Sequence, residues 1–188
     1  CVQEPKPVFG VLIAQYLEAV LEAPRRERDD ARIVLRGVFC EQPPLGLIRT
    51  LERSGCYVVD DDFLLVSRWL GPCVGLEENG GDPIAALARA YLTYDGEAAS
   101  RFVVDGASKG KTLVDSVRRT GAEGVIFASP SFCDPALLDR PMLQAALAGE
   151  GISFTSFKYA ENTGQMQPIR EQAGTFADTI KLWGGGTG

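Results

Sequence analysis

Apolar and polar positions follow two patterns that alternate along the chain. Short apolar runs, typical of strands buried on both faces, are followed by stretches whose apolar residues recur at helical spacing. The runs predict strands at residues 33–39, 56–59, 125–128 and 152–159, and the other stretches predict helices at 9–22, 45–54, 84–92, 109–119, 136–148 and 168–182. This alternation predicts an α/β fold, a Rossmann- or flavodoxin-like open parallel sheet of about four strands with helices on both faces.

The same pattern predicts how the strands are arranged. Because βαβ crossovers are short and right-handed, we expect the strand order 2-1-3-4, in which the winding direction reverses between the first and third strands. Ligand sites of open α/β sheets lie at such a reversal, beyond the carboxyl ends of the strands.

The chain has 188 residues, enough for one domain with a sizeable core. We expect residues 1–30 to form an N-terminal helix and a connection to a missing upstream domain, residues 31–183 to form the α/β C-terminal domain, and the Gly-rich residues 184–188 to form a flexible tail. Because the sequence begins with Cys1 rather than Met, we expect it to be a piece of a longer protein.

Composition narrows the classes of partner and of chemistry. The net charge of -6 argues against nucleic acid or an anionic membrane as the main partner. No apolar run has transmembrane length, no secretory signal pattern is present, and the five cysteines are scattered without a CxxC pair. We therefore expect a reduced, cytoplasmic protein. Histidine is absent, so any metal would depend on thiolate or carboxylate ligands.

One cysteine occupies a position that is typical of functional sites. Cys133 lies between the strand at 125–128 and the following helix, for which Asp134 is a good N-cap and Pro135 a good first residue. It would therefore lie at the carboxyl edge of the sheet, beside a helix N-terminus that favours the thiolate form. The alternative is that Cys133 is an ordinary small apolar residue.

The other cysteines are less informative. Cys40 follows the first strand and would face the same crevice as Cys133, although its Pro43-Pro44 flank also fits a plain turn. Cys56 begins a strand and is expected in the core, while Cys73 lies in a Gly-rich loop without a clear assignment.

Three further stretches each allow two interpretations. Residues 106–112 resemble a phosphate loop but are one residue short between the glycines, so a polar lead-in to a helix is favoured. The acidic run 60–62 could bind a hard cation, but a solvated strand end is favoured. The loop 161–165 could meet an anionic or carbonyl ligand or be an ordinary βα loop.

Longer stretches resemble a known family. The motif Phe132-Cys133-Asp134-Pro135 after an apolar strand, with the helix beyond Gly164-Gln165, resembles the cluster-bearing subunits of the benzoyl-CoA reductase and 2-hydroxyacyl-CoA dehydratase family. The likeness is closest to the C-terminal part of the smaller (C-type) subunit of ATP-dependent benzoyl-CoA reductase, and it runs from about residue 31 to 183. The stretches that carry it are 39–44, 60–63, 157–165 and 169–176.

The resemblance implies an enzyme that reduces benzoyl-CoA at low potential in anaerobic aromatic degradation. Such subunits hold a 4Fe-4S cluster through three cysteines, of which Cys133 would be the third and the other two would lie upstream. They work as a heterodimer with a related cluster-bearing subunit, bind acyl-CoA near the clusters, and receive electrons from a separate activator that alone binds ATP. We expect Cys40, Glu41, Glu161 and Gln165 to contact the substrate; no catalytic residue is assigned.

Other functions stay open at this stage. The chain could belong to a 2-hydroxyacyl-CoA dehydratase, although the stretch 40–44 favours the reductase. It could also be a flavodoxin-like binding module without a redox centre. The fourth and least favoured hypothesis is an enzyme with a lone thiol nucleophile, because the sequence has no histidine to activate the thiol.

Overall fold

The computed structural model describes residues 7–24, 28–37, 43–62, 74, 81–93, 106–160 and 166–183. Helices and strands alternate through most of these residues, as predicted. In chain order they are α1 (Pro7–Glu22), β1 (Ala31–Arg36), α2 (Leu45–Arg53), β2 (Cys56–Asp61), α3 (Pro83–Thr93), α4 (Gly106–Thr120), β3 (Gly124–Pro130), α5 (Asp134–Gly149), β4 (Ser153–Tyr159) and α6 (Met166–Trp183).

The four strands form one parallel sheet in the order β2-β1-β3-β4. The predicted fold class and the predicted strand order are therefore confirmed. The register pairs Ile33 with Gly124 in β1 and β3, and Gly124 with Ser153 in β3 and β4. A register irregularity between Ile33 and Val34 interrupts the pairing of β1 with β2. The winding direction reverses between β1 and β3, which makes their carboxyl ends the expected location of a site.

Each face of the sheet is covered by a pair of helices. Side chains of α2 and α6 form one apolar cluster with residues of all four strands, and side chains of α4 and α5 form a second cluster with residues of β1 and β3. β3 is the strand most completely enclosed, because every residue from Gly124 to Ser129 is buried. Each fully buried Leu, Ile or Val of these clusters contributes roughly 1.5–3 kcal/mol through the hydrophobic effect.

The chain divides into two compact units. One contains α1 and α3, and the other contains the sheet with α2, α4, α5 and α6. Several large apolar side chains of α1 are exposed, among them Leu12, Tyr16 and Leu21. The assignment of residues 1–30 and 31–183 to separate parts of the protein stays a prediction. None of the described helices combines the length and the apolar character that crossing a membrane requires.

Some element boundaries differ from those expected. Helix α5 begins at Asp134, two residues before the predicted range 136–148 and one before the predicted first residue Pro135, and Cys133 rather than Asp134 is its N-cap residue. Asp134 then occupies the first turn, where its carboxylate interacts favourably with the helix dipole. At the other end of the sheet, Ser54 is the C-cap of α2, and Gly55 follows it with a φ of +87°, the conformation that reverses the chain into β2.

Candidate functional site

Short connections position the chain at the carboxyl edge of the sheet. β3 ends at Pro130, and α5 begins at Asp134, so three residues link the strand to the helix. The Cys133 N–H donates a hydrogen bond to the Pro130 carbonyl at 3.1 Å, which closes this turn. The Cys133 carbonyl accepts a hydrogen bond from the Leu137 N–H at 3.1 Å, which starts the helix. The predicted place of Cys133 in a strand-to-helix turn is therefore confirmed.

The Cys133 side chain is buried, with 2% of its surface exposed. It is not part of a disulfide, and it makes no capping hydrogen bond to α5. The sulfur therefore lies at the N-terminus of a helix, in a position where the helix dipole favours negative charge. Such a thiol is suited to bind a soft metal centre.

The loop that carries Cys133 is tied to the neighbouring strand. The Ser131 N–H and the Ser131 hydroxyl both donate to the Tyr159 carbonyl, at 2.9 and 3.0 Å. Tyr159 is the last residue of β4 and is buried. Two hydrogen bonds to one strand end restrict the loop, so the backbone before Cys133 is held in place.

A second group of polar residues lies at the same edge, where β1 ends. Arg36 is the last residue of β1 and is only 8% exposed. The next residue, Gly37, has a φ of +107°, and a Cβ placed on it would lie 2.7 Å from the Ser129 Oγ and 2.9 Å from the Ala128 carbonyl oxygen. The Gly37 N–H donates to the Asp62 Oδ2 at 3.1 Å. The ends of β1, β2 and β3 are therefore joined closely at this point, and only Gly fits between them.

Arg36 and Ser129 are not identified as candidates by the sequence pattern. The signal that could have found Arg36 is its position, because it directly follows the apolar run Ile33-Val34-Leu35 at the end of the central strand. The sequence pattern indicates that the third strand breaks at Ser129, whereas the structure places this residue inside β3 with 1% of its surface exposed.

The four predicted substrate contacts, Cys40, Glu41, Glu161 and Gln165, lie outside the described residues, as do Cys1 and Cys73. Their proposed roles stay predictions. Of the candidate site residues, the structure therefore describes Cys133 alone.

Cys56 is a core residue, as expected. It begins β2, at the amino edge of the sheet and therefore at the opposite edge from Cys133. Its side chain is fully buried, and its Sγ donates to the Ala173 carbonyl of α6 at 3.8 Å. Burial first, and the negative charge of Asp30 second, raise the pKa of the Cys56 thiol from 9.0 to about 11. Cys56 is therefore a protonated thiol at neutral pH and a poor metal ligand.

The stretch that resembles a phosphate loop is helical. Residues 106–112 belong to α4, which begins at Gly106, so the polar residues expected to lead into the helix are its first turns. Lys109 pairs with Asp139 of α5 at 2.6 Å, and Lys111 pairs with Asp115 one turn further along α4. A Cβ on Gly110 would lie 2.7 Å from the Ala146 Cβ, so this glycine allows α4 and α5 to pack closely.

The acidic run is not a solvated strand end. Asp60 and Asp61 belong to β2, which extends two residues beyond the prediction, and Asp62 is buried. Asp60 accepts hydrogen bonds from Ser116 and from Arg119, both in α4. These contacts fasten α4 to the sheet, which is a structural role. Among the residues described, no group of three or more Cys, Asp or Glu side chains is placed to hold a metal ion.

Comparison with known proteins gives the site a context. A family model described as 2-hydroxyglutaryl-CoA dehydratase, D-component, matches residues 5–180. The chain belongs to this family. The resemblance inferred from the motifs around Cys133 and from the longer stretches is thereby confirmed.

Individual relatives differ in their similarity to the chain. The chain is 51% identical over 95% of its length to the C subunit of benzoyl-CoA reductase from Thauera aromatica, of which it covers 46%. It is 21% identical over 93% of its length to the beta subunit of lactoyl-CoA dehydratase from Anaerotignum propionicum, of which it covers 45%. It is 24% identical over 84% of its length to the beta subunit of (R)-2-hydroxyglutaryl-CoA dehydratase from Acidaminococcus fermentans, of which it covers 41%. The chain thus spans less than half the length of these relatives.

Proposed function

We propose that this chain is part of the smaller cluster-bearing subunit of an ATP-dependent benzoyl-CoA reductase, which dearomatises benzoyl-CoA at low potential during anaerobic aromatic degradation. The observation that carries this proposal is the 51% identity over 95% of the chain to a benzoyl-CoA reductase subunit, against 21% and 24% to two dehydratase subunits. A likeness of this extent covers the sheet, its helices and the turn that contains Cys133.

Cys133 is the proposed ligand of a 4Fe-4S cluster. A thiolate is the donor that such clusters require, and Cys133 is a buried thiol at a helix N-terminus at the carboxyl edge of the sheet. This chain would supply one ligand, and the other two would come from the upstream part of the subunit. When bound, the cluster supplies single electrons at low potential.

The surrounding residues would hold this ligand in place and keep water away from it. Ser131 ties the loop to the end of β4, and the hydrogen bond from the Cys133 N–H to the Pro130 carbonyl closes the turn before α5. Burial also excludes water, which lowers the local dielectric constant and makes the site sensitive to nearby charge.

The proposed partners are a related cluster-bearing subunit and a separate ATP-hydrolysing activator, in the cytoplasm. The relatives described above are named as subunits of enzymes, which supports a multi-subunit assembly. Cys40, Glu41, Glu161 and Gln165 are proposed to contact the acyl-CoA. Among them, Cys40 is proposed to lie near the cluster without binding iron, so Cys40→Ala should retain more iron than Cys133→Ala.

The second candidate function is dehydration of a 2-hydroxyacyl-CoA. The description of the matching family favours it, since that description names a dehydratase. Dehydration removes water without net reduction, whereas dearomatisation of benzoyl-CoA adds electrons and protons to the ring. The two reactions can therefore be distinguished by their products and by their consumption of reductant.

The test offers both substrates to one assembly. The complete enzyme that contains this chain, purified with its partner and activator without oxygen, is given ATP, a low-potential reductant, and either benzoyl-CoA or (R)-2-hydroxyglutaryl-CoA. We expect ATP-dependent formation of a cyclic diene thioester from benzoyl-CoA and no dehydration of the hydroxyacyl thioester. Dehydration without reduction of benzoyl-CoA would contradict the proposal and favour the second function.

A further inference from the structure

Among the residues that the structure describes, Arg36 is a buried cation without a counter-ion. The residue is 8% exposed, and its buried Nε has no hydrogen-bond partner among the described residues. A guanidinium group cannot lose its proton in a protein. Burying an unpaired charge is costly, so this position is best explained by an anion that Arg36 binds.

Ser129 is a second buried polar side chain at the same place. It is 1% exposed, and its hydroxyl has no hydrogen-bond partner within the described part of the chain. Its Oγ lies directly over Gly37, the residue after Arg36, because a Cβ on Gly37 would be 2.7 Å from it. The hydroxyl therefore lies beside the backbone that directly follows Arg36, at the ends of β1 and β3.

Strand alternation places both side chains on the same face of the sheet. Val34 packs in the cluster formed with α4 and α5, and Arg36 lies two residues further along β1. Phe127 packs in the same cluster, and Ser129 lies two residues further along β3. Since side chains two residues apart point to the same face, Arg36 and Ser129 extend this face to its carboxyl edge.

Charges of both signs lie at this edge, and they include the Asp134 carboxylate in the first turn of α5. The Asp62 carboxylate accepts a hydrogen bond from the Gly37 N–H. Lys109, near the start of α4, pairs with Asp139 of α5. The Arg32 side chain donates to the Thr120 and Gly121 carbonyls at the end of α4, which places that end at the amino edge and the N-terminus of α4 at the carboxyl edge. The N-termini of α4 and α5 add positive potential there.

We infer that Arg36 and Ser129 form a binding site for a phosphoryl group of the CoA part of an acyl-CoA. This inference rests on the proposed function, which gives benzoyl-CoA as substrate. The benzoyl thioester is neutral, and the negative charge of the molecule is on its phosphoryl groups. A planar guanidinium fork with a hydroxyl beside it matches the geometry of phosphoryl oxygens.

The first test measures equilibrium binding to the complete subunit with its partner, without oxygen. The ligands are benzoyl-CoA, benzoyl-pantetheine, which lacks the phosphoryl groups, and inorganic pyrophosphate. We expect Arg36→Met to weaken benzoyl-CoA binding roughly tenfold or more, because a charge-assisted hydrogen bond is lost, and to leave benzoyl-pantetheine binding unchanged. Ser129→Ala should weaken benzoyl-CoA binding by a smaller factor.

Arg32→Met is the matched control. Arg32 lies on the same strand and the same face, but at the amino edge, where its side chain bonds to the end of α4. Benzoyl-CoA binding should be unchanged in this variant. Weakening of pyrophosphate binding by Arg36→Met without any change for benzoyl-CoA would identify a site for free phosphate and overturn the assignment to CoA.

The second measurement is the thermal unfolding midpoint without ligand. If Arg36 has no partner until an external anion binds, Arg36→Met removes an uncompensated charge, and the unfolding midpoint should stay the same or rise. If Arg36 had an internal partner, the substitution would leave that partner unpaired and lower the midpoint. A lowered midpoint with unchanged benzoyl-CoA binding would overturn the inference.

The inference and the proposed function can fail separately. Reduction of benzoyl-CoA by Arg36→Met with an unchanged KM would overturn the inference and leave the function in place. Arg36-dependent binding of benzoyl-CoA by an assembly that does not reduce it would support the site and contradict the function.

Discussion

Two buried cysteines show how surroundings determine the chemistry of a thiol. Cys56 lies at the amino edge of the sheet, packed on α6 in an apolar cluster and near the negative charge of Asp30. Cys133 lies at the carboxyl edge, at the N-terminus of α5. Both are almost inaccessible, so exposure does not distinguish them. Their positions in the sheet do, and only Cys133 is at the edge where α/β proteins bind ligands.

The raised pKa of Cys56 predicts a particular dependence of stability on pH. Its pKa is about 11 when folded against 9.0 ordinarily, so between these values the unfolded chain loses the thiol proton and the folded chain keeps it. Folding stability should therefore fall as pH rises from about 9 to about 11. Urea unfolding across this range measures the effect, and Cys56→Ala should show a shallower decline than the unmodified chain. Equal declines would contradict the assignment.

Residue roles could be predicted from sequence only where local pattern decides them. The turn residues between an apolar strand and a helix located Cys133 correctly. For Arg36 the local pattern marks only its position at the end of a strand, where an arginine is ordinarily exposed, and its burial depends on residues from other parts of the chain. The contact between Gly37 and Ser129 joins positions 92 residues apart in sequence and is likewise a tertiary feature.

At the scale of elements, periodicity predicted every helix and strand that the structure describes, with shifts of a few residues at their ends. The two largest shifts are equal: β1 ends at Arg36 rather than at residue 39, and α4 begins at Gly106 rather than near Lys109. Glycine and polar residues weaken the helical pattern there. Packing of Gly110 against Ala146, and the ion pair of Lys109 with Asp139, compensate for this low propensity.

Gly124 is predicted to control how closely α6 packs on the sheet. A Cβ at this position would lie 2.7 Å from the Ile180 Cδ1, 2.9 Å from the Phe176 Cζ and 3.1 Å from the Ser153 carbonyl oxygen. Gly124→Ala should therefore overpack this contact and lower the free energy of unfolding by about 1–3 kcal/mol, measured by urea denaturation.

Gly149→Ala in α5 is the control for this substitution. No atom lies within 4 Å of its added Cβ, and its φ is not positive, so the variant should be neutral or more stable by up to about 1 kcal/mol. An equal loss of stability in both variants would show that the close approach of α6 to Gly124 is not the cause.

At the scale of the whole molecule, the strand order was predictable because crossover rules leave few topologies. The order β2-β1-β3-β4 brings the ends of β1 and β3 together, and this places Arg36 and Ser129 at one edge with the Cys133 turn. The chain covers less than half of the length of its relatives. Its place in a multi-subunit enzyme is therefore a proposal.

The most direct test of the central claim is the iron and acid-labile sulfide content of the complete subunit with its partner, purified without oxygen, together with its low-temperature EPR spectrum. Cys133→Ser is compared with the unmodified protein, and Cys56→Ser serves as a control at a buried thiol on the opposite edge. We predict about four irons per subunit and a reducible signal in the unmodified protein and in Cys56→Ser, and loss of this subunit's iron in a folded Cys133→Ser variant. Full iron content with a normal signal in Cys133→Ser would contradict the account.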